Sequence, residues 1–196
     1  LWPKGARFTS CYASGNRHGF GNKGSGGTTF SACEAIGNIK FGFYSSTQSE
    51  GDTFSGCKAS ANEYGVYVEN SKGIVNIVGG NFSENTSHGI CVLQASFATW
   101  RCENVLISGN IIRKNSHSGI RISGTTTEIR HVTITGNHIV DNGAGLISYQ
   151  RQGISTSGTV SKLLISGNWA GNTTGNSSQV YGVNIVNGAV TDLAIT

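Results

Sequence analysis

Residues 104–124, NVLISGNIIRKNSHSGIRISG, combine two short apolar alternations with asparagine-rich turns. The turns are marked by Asn110 and Asn115, and Gly119 opens the second alternation. Apolar residues at every second position are typical of β-strands that bury one face. The stretch therefore predicts two short strands joined by tight turns.

The same order of features recurs along the chain. Residues 131–147, HVTITGNHIVDNGAGLI, repeat it, and a glycine opens the second strand of each repeat, at a basal interval of about 23 residues. These marker glycines are predicted at Gly19, Gly42, Gly65, Gly89, Gly119, Gly145 and Gly182. Such a period, with occasional insertions, predicts a solenoid with one coil per repeat.

Two further columns keep step with the marker glycines. The first contains cysteine or asparagine, and its members are Cys11, Cys33, Cys57, Asn110, Asn137 and Asn168. The second contains asparagine, and its members are Asn16, Asn38, Asn62, Asn115, Asn142 and Asn172. The coil around Gly80 and Asn85 fits after a one-residue shift, which we interpret as a β-bulge. Stacked asparagines can bond one another, which explains their recurrence without any function.

The inward positions follow from the alternation. Ile107, Ile134 and Ile165 are predicted in one buried column, and residues 94–103, 149–161 and 173–180 are predicted as insertions outside the coils. The whole chain, residues 1–196, is predicted to be one domain. It has no Met and starts within the repeat pattern, so we expect it to be a piece of a longer protein.

Composition excludes several function classes. The net charge of +4 is modest and the basic residues are scattered, which disfavours a nucleic-acid partner. No apolar run reaches the roughly 18 residues of a membrane span. The glycine-rich residues 19–27 lack the Lys-Ser or Lys-Thr of a phosphate loop, and no His or Cys spacing indicates a metal site. We expect no cofactor, no metal and no membrane insertion.

The five cysteines are predicted to be free. Three of them share one column, their number is odd, and buried cysteine behaves as a small apolar residue. Disulfides between neighbouring coils are the alternative, because stacked thiols would lie close enough to bond. Free thiols indicate folding in a reducing cytoplasm.

The period, the Ser-Gly-Asn turns and the glycine-led strands resemble those of right-handed parallel β-helix proteins of the pectate-lyase-like superfamily. Within this group the chain is most similar to bacteriophage tailspike and capsule-depolymerase β-helices, and secondarily to bacterial alginate epimerases. The resemblance covers residues 8–196. It implies an all-β, right-handed parallel β-helix, a single-stranded solenoid of about seven rungs.

The resemblance also implies a function class. An extended polysaccharide would lie along a strand face of a homotrimer, located in a phage virion tail or otherwise extracellular. The Asp-rich calcium cluster of pectate lyases and the Asp-Pro-His-Glu motif of alginate epimerases are missing, so neither activity is carried over residue by residue. The main expectation is a tailspike-type endoglycosidase that cleaves bacterial capsule or O-antigen. The alternatives are a polysaccharide lyase or uronate C5-epimerase, and a non-catalytic structural or adhesive β-helix.

Outward positions of the glycine-led strands predict where a glycan would bind. Aromatic rings stack on sugars, and a guanidinium donates to carboxylates or hydroxyls. The candidates are Tyr44, Tyr67, Arg121 and Tyr149, with Trp100 on the 94–103 insertion. A trimer contact, or the strand preference of tyrosine, is the alternative explanation.

Two carboxylate pairs are candidates for glycoside hydrolysis, which needs carboxyl groups about 5–9.5 Å apart. Glu69 and Glu103 are preferred, because Glu69 shares the Tyr67 strand and Glu103 ends the first insertion. Glu84 and Asp141 form the reserve pair, two coils or about 9.6 Å apart at the sheet spacing. A surface ion-pair ladder through the intervening lysine is the alternative for that column.

A lyase or epimerase would instead need a base and a cation that neutralises the uronate carboxylate. His88 with Arg121 or Tyr67 could supply them, because His88 directly precedes a marker glycine. The alternative is a solvated histidine in a turn.

Overall fold

The computed structural model describes residues 5–24, 26–46, 49–71, 73–94, 101–125, 127–145, 151–173, 178–186 and 190–196. Within them the chain forms 22 strands and no helix. In chain order the strands are β1 (Arg7–Thr9), β2 (Tyr12–Ser14), β3 (His18–Lys23), β4 (Thr29–Ser31), β5 (Glu34–Ile36), β6 (Phe41–Ser46), β7 (Gly51–Ser55), β8 (Lys58–Ser60), β9 (Tyr64–Glu69), β10 (Ile74–Val78), β11 (Asn81–Ser83), β12 (Ile90–Gln94), β13 (Glu103–Ser108), β14 (Ile111–Arg113), β15 (Ile120–Gly124), β16 (Ile129–Thr135), β17 (His138–Val140), β18 (Gln152–Ser157), β19 (Val160–Ser166), β20 (Trp169–Gly171), β21 (Tyr181–Val186) and β22 (Val190–Ile195).

Every third strand belongs to the same sheet, and all neighbouring strands are parallel. The first sheet runs β1-β4-β7-β10-β13-β16-β19-β22, the second runs β2-β5-β8-β11-β14-β17-β20, and the third runs from β3 to β21 in the same steps. Each coil of the chain thus adds one strand to each of three sheets. The prediction of an all-β parallel solenoid is confirmed.

The core is a set of stacked inward columns. Ile107, Ile134 and Ile165 pair directly from coil to coil and are buried, which confirms the predicted column. In the early coils this column contains phenylalanine, and the rings of Phe30 and Phe54 stack with centroids 5.2 Å apart. Coils with phenylalanine in the first sheet have alanine at the facing position of the second sheet, whereas the next three coils have isoleucine in the first sheet and phenylalanine or isoleucine in the second. Large and small side chains therefore alternate across the core to keep it filled.

Two ladders of polar side chains run along the solenoid. In the second ladder Asn115 accepts from the amide of Asn85 at 2.8 Å and donates to Asn142 at 2.9 Å. This ladder ends on Gln179, to which Asn142 donates, so the assignment of Asn172 to it was wrong. Asn172 instead bonds the backbone of Gln179.

In the first ladder Asn110, Asn137 and Asn168 bond one another in sequence. Gly80 takes the preceding place, because its N–H donates to Asn110 Oδ1 at 2.8 Å. Strand pairing on both sides of Gly80 stays in register, so the predicted bulge was wrong.

The marker glycines are fixed by crowding between coils. A Cβ on Gly119 would lie 2.6 Å from Ile139 and 2.9 Å from the Asn142 amide nitrogen. The next member of this column is Gly153, where a Cβ would lie 2.6 Å from the Gly182 carbonyl oxygen. Gly145 was therefore the wrong marker.

The predicted 149–161 insertion was also wrong, because it contains β18, which pairs with β15. The extra residues of this repeat precede β18 instead. The other two predicted insertions, 94–103 and 173–180, fall between β12 and β13 and between β20 and β21. Residues 95–100 and 174–177, inside these insertions, lie outside the described residues.

All five cysteines are free, as predicted. Cys33 and Cys57 are buried in one column, and their thiols donate to the backbone carbonyls of Phe8 and Phe30. In the part of the chain that the structure describes, no helix is long and apolar enough to cross a membrane.

Candidate functional site

The outer face of the third sheet brings together three residues predicted to bind a glycan. Tyr44 of β6 pairs with Tyr67 of β9, which pairs with Cys91 of β12, which pairs with Arg121 of β15. In the next coil Arg121 pairs with Ser155. The two other predicted binding residues, Tyr149 and Trp100, lie outside the described residues.

A cavity of about 280 Å³ opens on this face. Its walls come from three consecutive coils, and the lining residues are Tyr64, Tyr67, Ser87, His88, Cys91, Leu93, His117 and Arg121. Of these described lining residues, none is Asp or Glu. The cavity thus combines one guanidinium, two imidazoles and two phenols.

His88 is buried, with 4% of its surface exposed, so the alternative of a solvated turn histidine was wrong. Burial is the main cause that lowers its pKa to about 3, and the Arg121 charge contributes. Its Nδ1 accepts the Ser118 N–H at 3.1 Å. The neutral ring therefore carries its proton on Nε2 and acts as a hydrogen-bond donor there.

His117 is more exposed and has a different partner. Its ring centroid lies 5.3 Å from that of His88, and its Nδ1 lies 3.2 Å from the Ser87 hydroxyl oxygen. Burial, followed by the Arg121 charge, lowers its pKa below the ordinary value of 6.5. When Nδ1 donates to Ser87, Nε2 has the free lone pair that a general base needs.

The two tyrosines remain protonated. Burial is the main cause that raises the pKa of both Tyr64 and Tyr67 above the ordinary value of 10.0. Their ring centroids lie 5.0 Å apart. Burial also raises the pKa of the Cys91 thiol to about 12, so this side chain is not a thiolate nucleophile at neutral pH.

The preferred carboxylates lie on different sheets. Glu69 ends β9 of the third sheet and accepts a hydrogen bond from the Tyr44 hydroxyl at 3.2 Å. Glu103 begins β13 of the first sheet, where it pairs with Arg130. The two strands meet the same corner of the solenoid, but neither carboxylate lines the 280 Å³ cavity.

The reserve carboxylates lie in the column that the sequence predicted. Glu84, Lys114 and Asp141 all adopt left-handed backbone conformations at equivalent turns. Glu84 is exposed. Asp141 is buried, and both its carboxylate oxygens accept hydrogen bonds from Thr173, at 2.7 and 2.8 Å. Among the described residues, ion pairs within 4 Å join only Glu128 to Arg101 and Arg130, so no ion-pair ladder forms in this column.

Sequence reasoning missed Tyr64 and His117 as members of the site. Tyr64 directly precedes Gly65, as His88 precedes Gly89, so alignment on the marker glycines places both in one column. His117 lies one position earlier in its repeat, aligned with Ser87. Alignment of the two positions before each marker glycine was the signal that could have found both residues.

Comparison with known proteins gives a family match and two structural likenesses. A model of the family described as periplasmic copper-binding protein (NosD) matches residues 4–190. No curated protein gives a significant sequence match.

Both structural matches are A-modules of Azotobacter vinelandii mannuronan C-5 epimerases. The AlgE4 module is 20% identical with a TM-score of 0.70, and the AlgE6 module is 18% identical with a TM-score of 0.67. The matches cover 96% and 97% of this chain but 53% and 57% of those modules. The chain thus spans a little over half their length and shares their parallel β-solenoid fold.

Proposed function

The chain belongs to the NosD family of periplasmic copper-binding proteins, and we propose that it is a polysaccharide-modifying enzyme of the C5-epimerase type. Its substrate would be a glycan that contains uronate residues. The supporting observation is the cavity on the third sheet, where Arg121 lies beside two neutral imidazoles and two protonated phenols.

The described residues do not fit the copper that the family name implies. Copper in proteins is held by thiolate, thioether or imidazole ligands. The chain has no Met, Cys91 supplies the single thiol among the described lining residues of the cavity, and Nδ1 of His88 already accepts a backbone N–H. Among the described residues, no three His, Cys, Asp or Glu side chains are grouped to hold a metal ion. The reaction proposed below therefore uses only side chains of this protein.

Removal of the proton at C5 of a uronate leaves charge on its carboxylate, so the site must stabilise that charge. The Arg121 guanidinium can bind the carboxylate through two parallel hydrogen bonds. The buried Nε2–H of His88 supplies a further donor without adding a charge. Together these two groups favour the enediolate that forms when the C–H bond breaks.

His117 and Tyr67 are suited to the two proton transfers. The rings form a chain from Tyr67 through Tyr64 and His88 to His117, so these two lie at its opposite ends. Nε2 of neutral His117 takes the C5 proton, and the C–H electron pair moves into the carboxylate. The Tyr67 hydroxyl then gives a proton to the other face of C5. Solvent returns a proton to Tyr67 and removes one from His117, so no net charge is produced.

Glycoside hydrolysis finds less support. It needs two carboxyl groups that flank the scissile bond, and the described lining of the cavity contains none. The homotrimer and the virion tail stay predictions that rest on the sequence resemblance, and the Glu69 and Glu103 pair stays a prediction that rests on the positions of the two residues in the repeat pattern. The family description supports a periplasmic or extracellular location instead. Such a location suits a polysaccharide substrate, and burial would protect Cys33 and Cys57 from oxidation there.

An aromatic track leads from the cavity toward the first coils. The Phe41 ring contacts the rings of Tyr44 and Tyr67 at 4.8 and 4.6 Å, and His18 contacts Phe41 at 5.0 Å. Sugar rings stack on aromatic faces. On the other side of Arg121 the same outward column contains Ser155 and Asn184. The glycan is therefore proposed to extend from the cavity mainly over the coils that precede it.

The test is incubation with uronate polysaccharides in D2O, followed by NMR of the sugar. We expect deuterium at C5 and inversion of that centre, without unsaturated uronates. Unsaturated products with C5 proton loss would identify a lyase, which uses the same cavity. New reducing ends without deuterium at C5 would contradict the proposal and favour an endoglycosidase.

A further inference from the structure

A second cavity, of about 460 Å³, lies on the outer face of the second sheet. It is formed by the four consecutive coils that contain β11, β14, β17 and β20, and its lining residues are Asn81, Ile111, Arg113, Lys114, His138, Val140, Asp141 and Thr173. None of them lines the cavity on the third sheet. The two cavities are therefore separate.

The electrostatic character of the second cavity is positive. Arg113 and Lys114 are exposed, and neither has a carboxylate within 4 Å among the described residues. The one acidic lining residue, Asp141, is buried, and Thr173 donates to both its oxygens. Two neighbouring cations are thus available to an anion from outside, while the buried carboxylate is already hydrogen-bonded.

An aromatic surface continues from this cavity. Trp169 is 51% exposed, follows His138 in the outward column of the second sheet, and its ring lies 4.7 Å from the imidazole. Ile111 precedes His138 in the same column. The coils that contain Arg113 and Trp169 are two strand spacings apart, a distance of about 9.6 Å. A flat apolar ring and two cations are hence presented side by side on one face.

We propose that this surface is a second binding site for an acidic saccharide, distinct from the reactive cavity. Arg113 and Lys114 bind the carboxylates, and Trp169, held by His138, stacks on a sugar ring. The acidic class of the saccharide rests on the proposed function, whereas the location of the site does not. Such a site would keep a long polysaccharide attached while the reactive cavity acts on another part of it.

The test is isothermal titration of the protein with a uronate hexasaccharide, and with the same hexasaccharide after reduction of its carboxyls to alcohols. The Arg121→Gln variant serves as the background, because it weakens binding in the reactive cavity. We expect this variant to keep one binding event. Adding Arg113→Gln and Lys114→Gln to this background should lower the affinity of the remaining binding event at least about tenfold. Adding Trp169→Ala alone to the same background should do the same. Carboxyl reduction should weaken it to a similar extent.

The matched control is Lys162→Gln, which removes an exposed cation from the first sheet and should leave binding unchanged. If Arg121→Gln abolishes all binding, or the Arg113 and Lys114 changes have no effect, the second site is wrong while the reactive cavity stands. If Arg121→Gln leaves C5 exchange intact but the Arg113 and Lys114 changes weaken binding, the proposed function is wrong and the second site stands.

Discussion

The second asparagine ladder and the column of residues before the marker glycines differ in whether one residue type repeats from coil to coil. The second asparagine ladder repeats one residue type over six coils before Gln179. The column directly before each marker glycine, here called the pre-glycine column, changes at every coil. Its members are His18, Phe41, Tyr64, His88, Ser118, Gln152 and Tyr181.

The difference follows from what each side chain contacts. Asn115 is bonded by its own kind in both directions and by the backbone of Phe82, so its neighbours dictate its identity. Tyr64 and His88 of the pre-glycine column line a cavity instead. In a repeat protein the repeated columns therefore hold the fold together, and a column that stops repeating indicates where ligands bind.

The largest effect is expected when the repeated column is broken. Asn115→Ala would remove four hydrogen bonds and leave the buried Asn85 N–H without its acceptor. Each unsatisfied buried group costs about 1–3 kcal/mol, so the free energy of unfolding should fall by about 3 kcal/mol or more. Urea denaturation measures this change.

The matched control for the ladder is Asn76→Ala. Asn76 lies on the outer face of the first sheet, with a single side-chain bond to Thr53 at 3.5 Å. Its loss should change stability by about 0.5 kcal/mol or less. Equal losses for the two variants would contradict the structural role assigned to the ladder.

A change in the reactive cavity should alter activity without altering the fold. Arg121→Gln is expected to lower kcat for C5 exchange about a hundredfold, because it removes the charge that stabilises the enediolate. Its urea midpoint should stay close to that of the unchanged protein. Lys162→Gln, which removes an exposed cation elsewhere, should keep full activity. If the Arg121→Gln variant kept full activity, this cavity would not be the site of the reaction.

A smaller effect of the Arg121 charge is expected on the pKa of His117. The pKa of His117 is lowered by burial and then by Arg121, and a base must be neutral to act. Activity should therefore fall only as the pH drops through a value below 6.5. In Arg121→Gln the pKa of His117 should rise toward its ordinary value, because one of the two causes that lower it is gone.

NMR titration of the His117 ring measures that change. Lys162→Gln is the control variant, in which the pKa of His117 should stay the same. An unaltered His117 titration in the Arg121→Gln variant would show that the two side chains are not coupled.

The smallest effect is expected on the aromatic track. Phe41→Leu keeps an apolar side chain but removes the ring that contacts Tyr44 and Tyr67. Stacking contributes about 0.5–1.5 kcal/mol, so KM for a long uronate chain should rise roughly threefold to tenfold. KM for a trisaccharide that fills only the cavity should not change. An equal rise for both substrates would place Phe41 in the cavity itself rather than beyond it.

Much of the fold was predictable because periodicity reports stacking directly. The spacing of Ile107, Ile134 and Ile165 was sufficient to place one core column. The error at Gly145 arose because an insertion before β18 shifts the register, and a glycine in a turn resembles a marker glycine in sequence. The pairing of β15 with β18 distinguishes the two, because it aligns Ile120 with Ile154 and therefore Gly119 with Gly153.

The site was less predictable than the fold. The placement of Tyr44, Tyr67 and Arg121 in one outward column was predictable, because alternation shows which side chains point outward. The burial of His88 was not predictable, because a residue in a turn is ordinarily solvated. The aromatic rings that surround it come from other coils and meet it only in the folded structure. The Glu69 and Glu103 pair stays a prediction, because positions in a repeat pattern do not show whether two carboxylates face the same cavity.

The most direct test of the central claim is a crystal structure of the His117→Gln variant with a bound uronate hexasaccharide. The reactive uronate should lie in the third-sheet cavity, with its carboxylate hydrogen-bonded to Arg121 and its C5 between residue 117 and the Tyr67 hydroxyl. A glycan that leaves this cavity empty and places a glycosidic bond between Glu69 and Glu103 would contradict it.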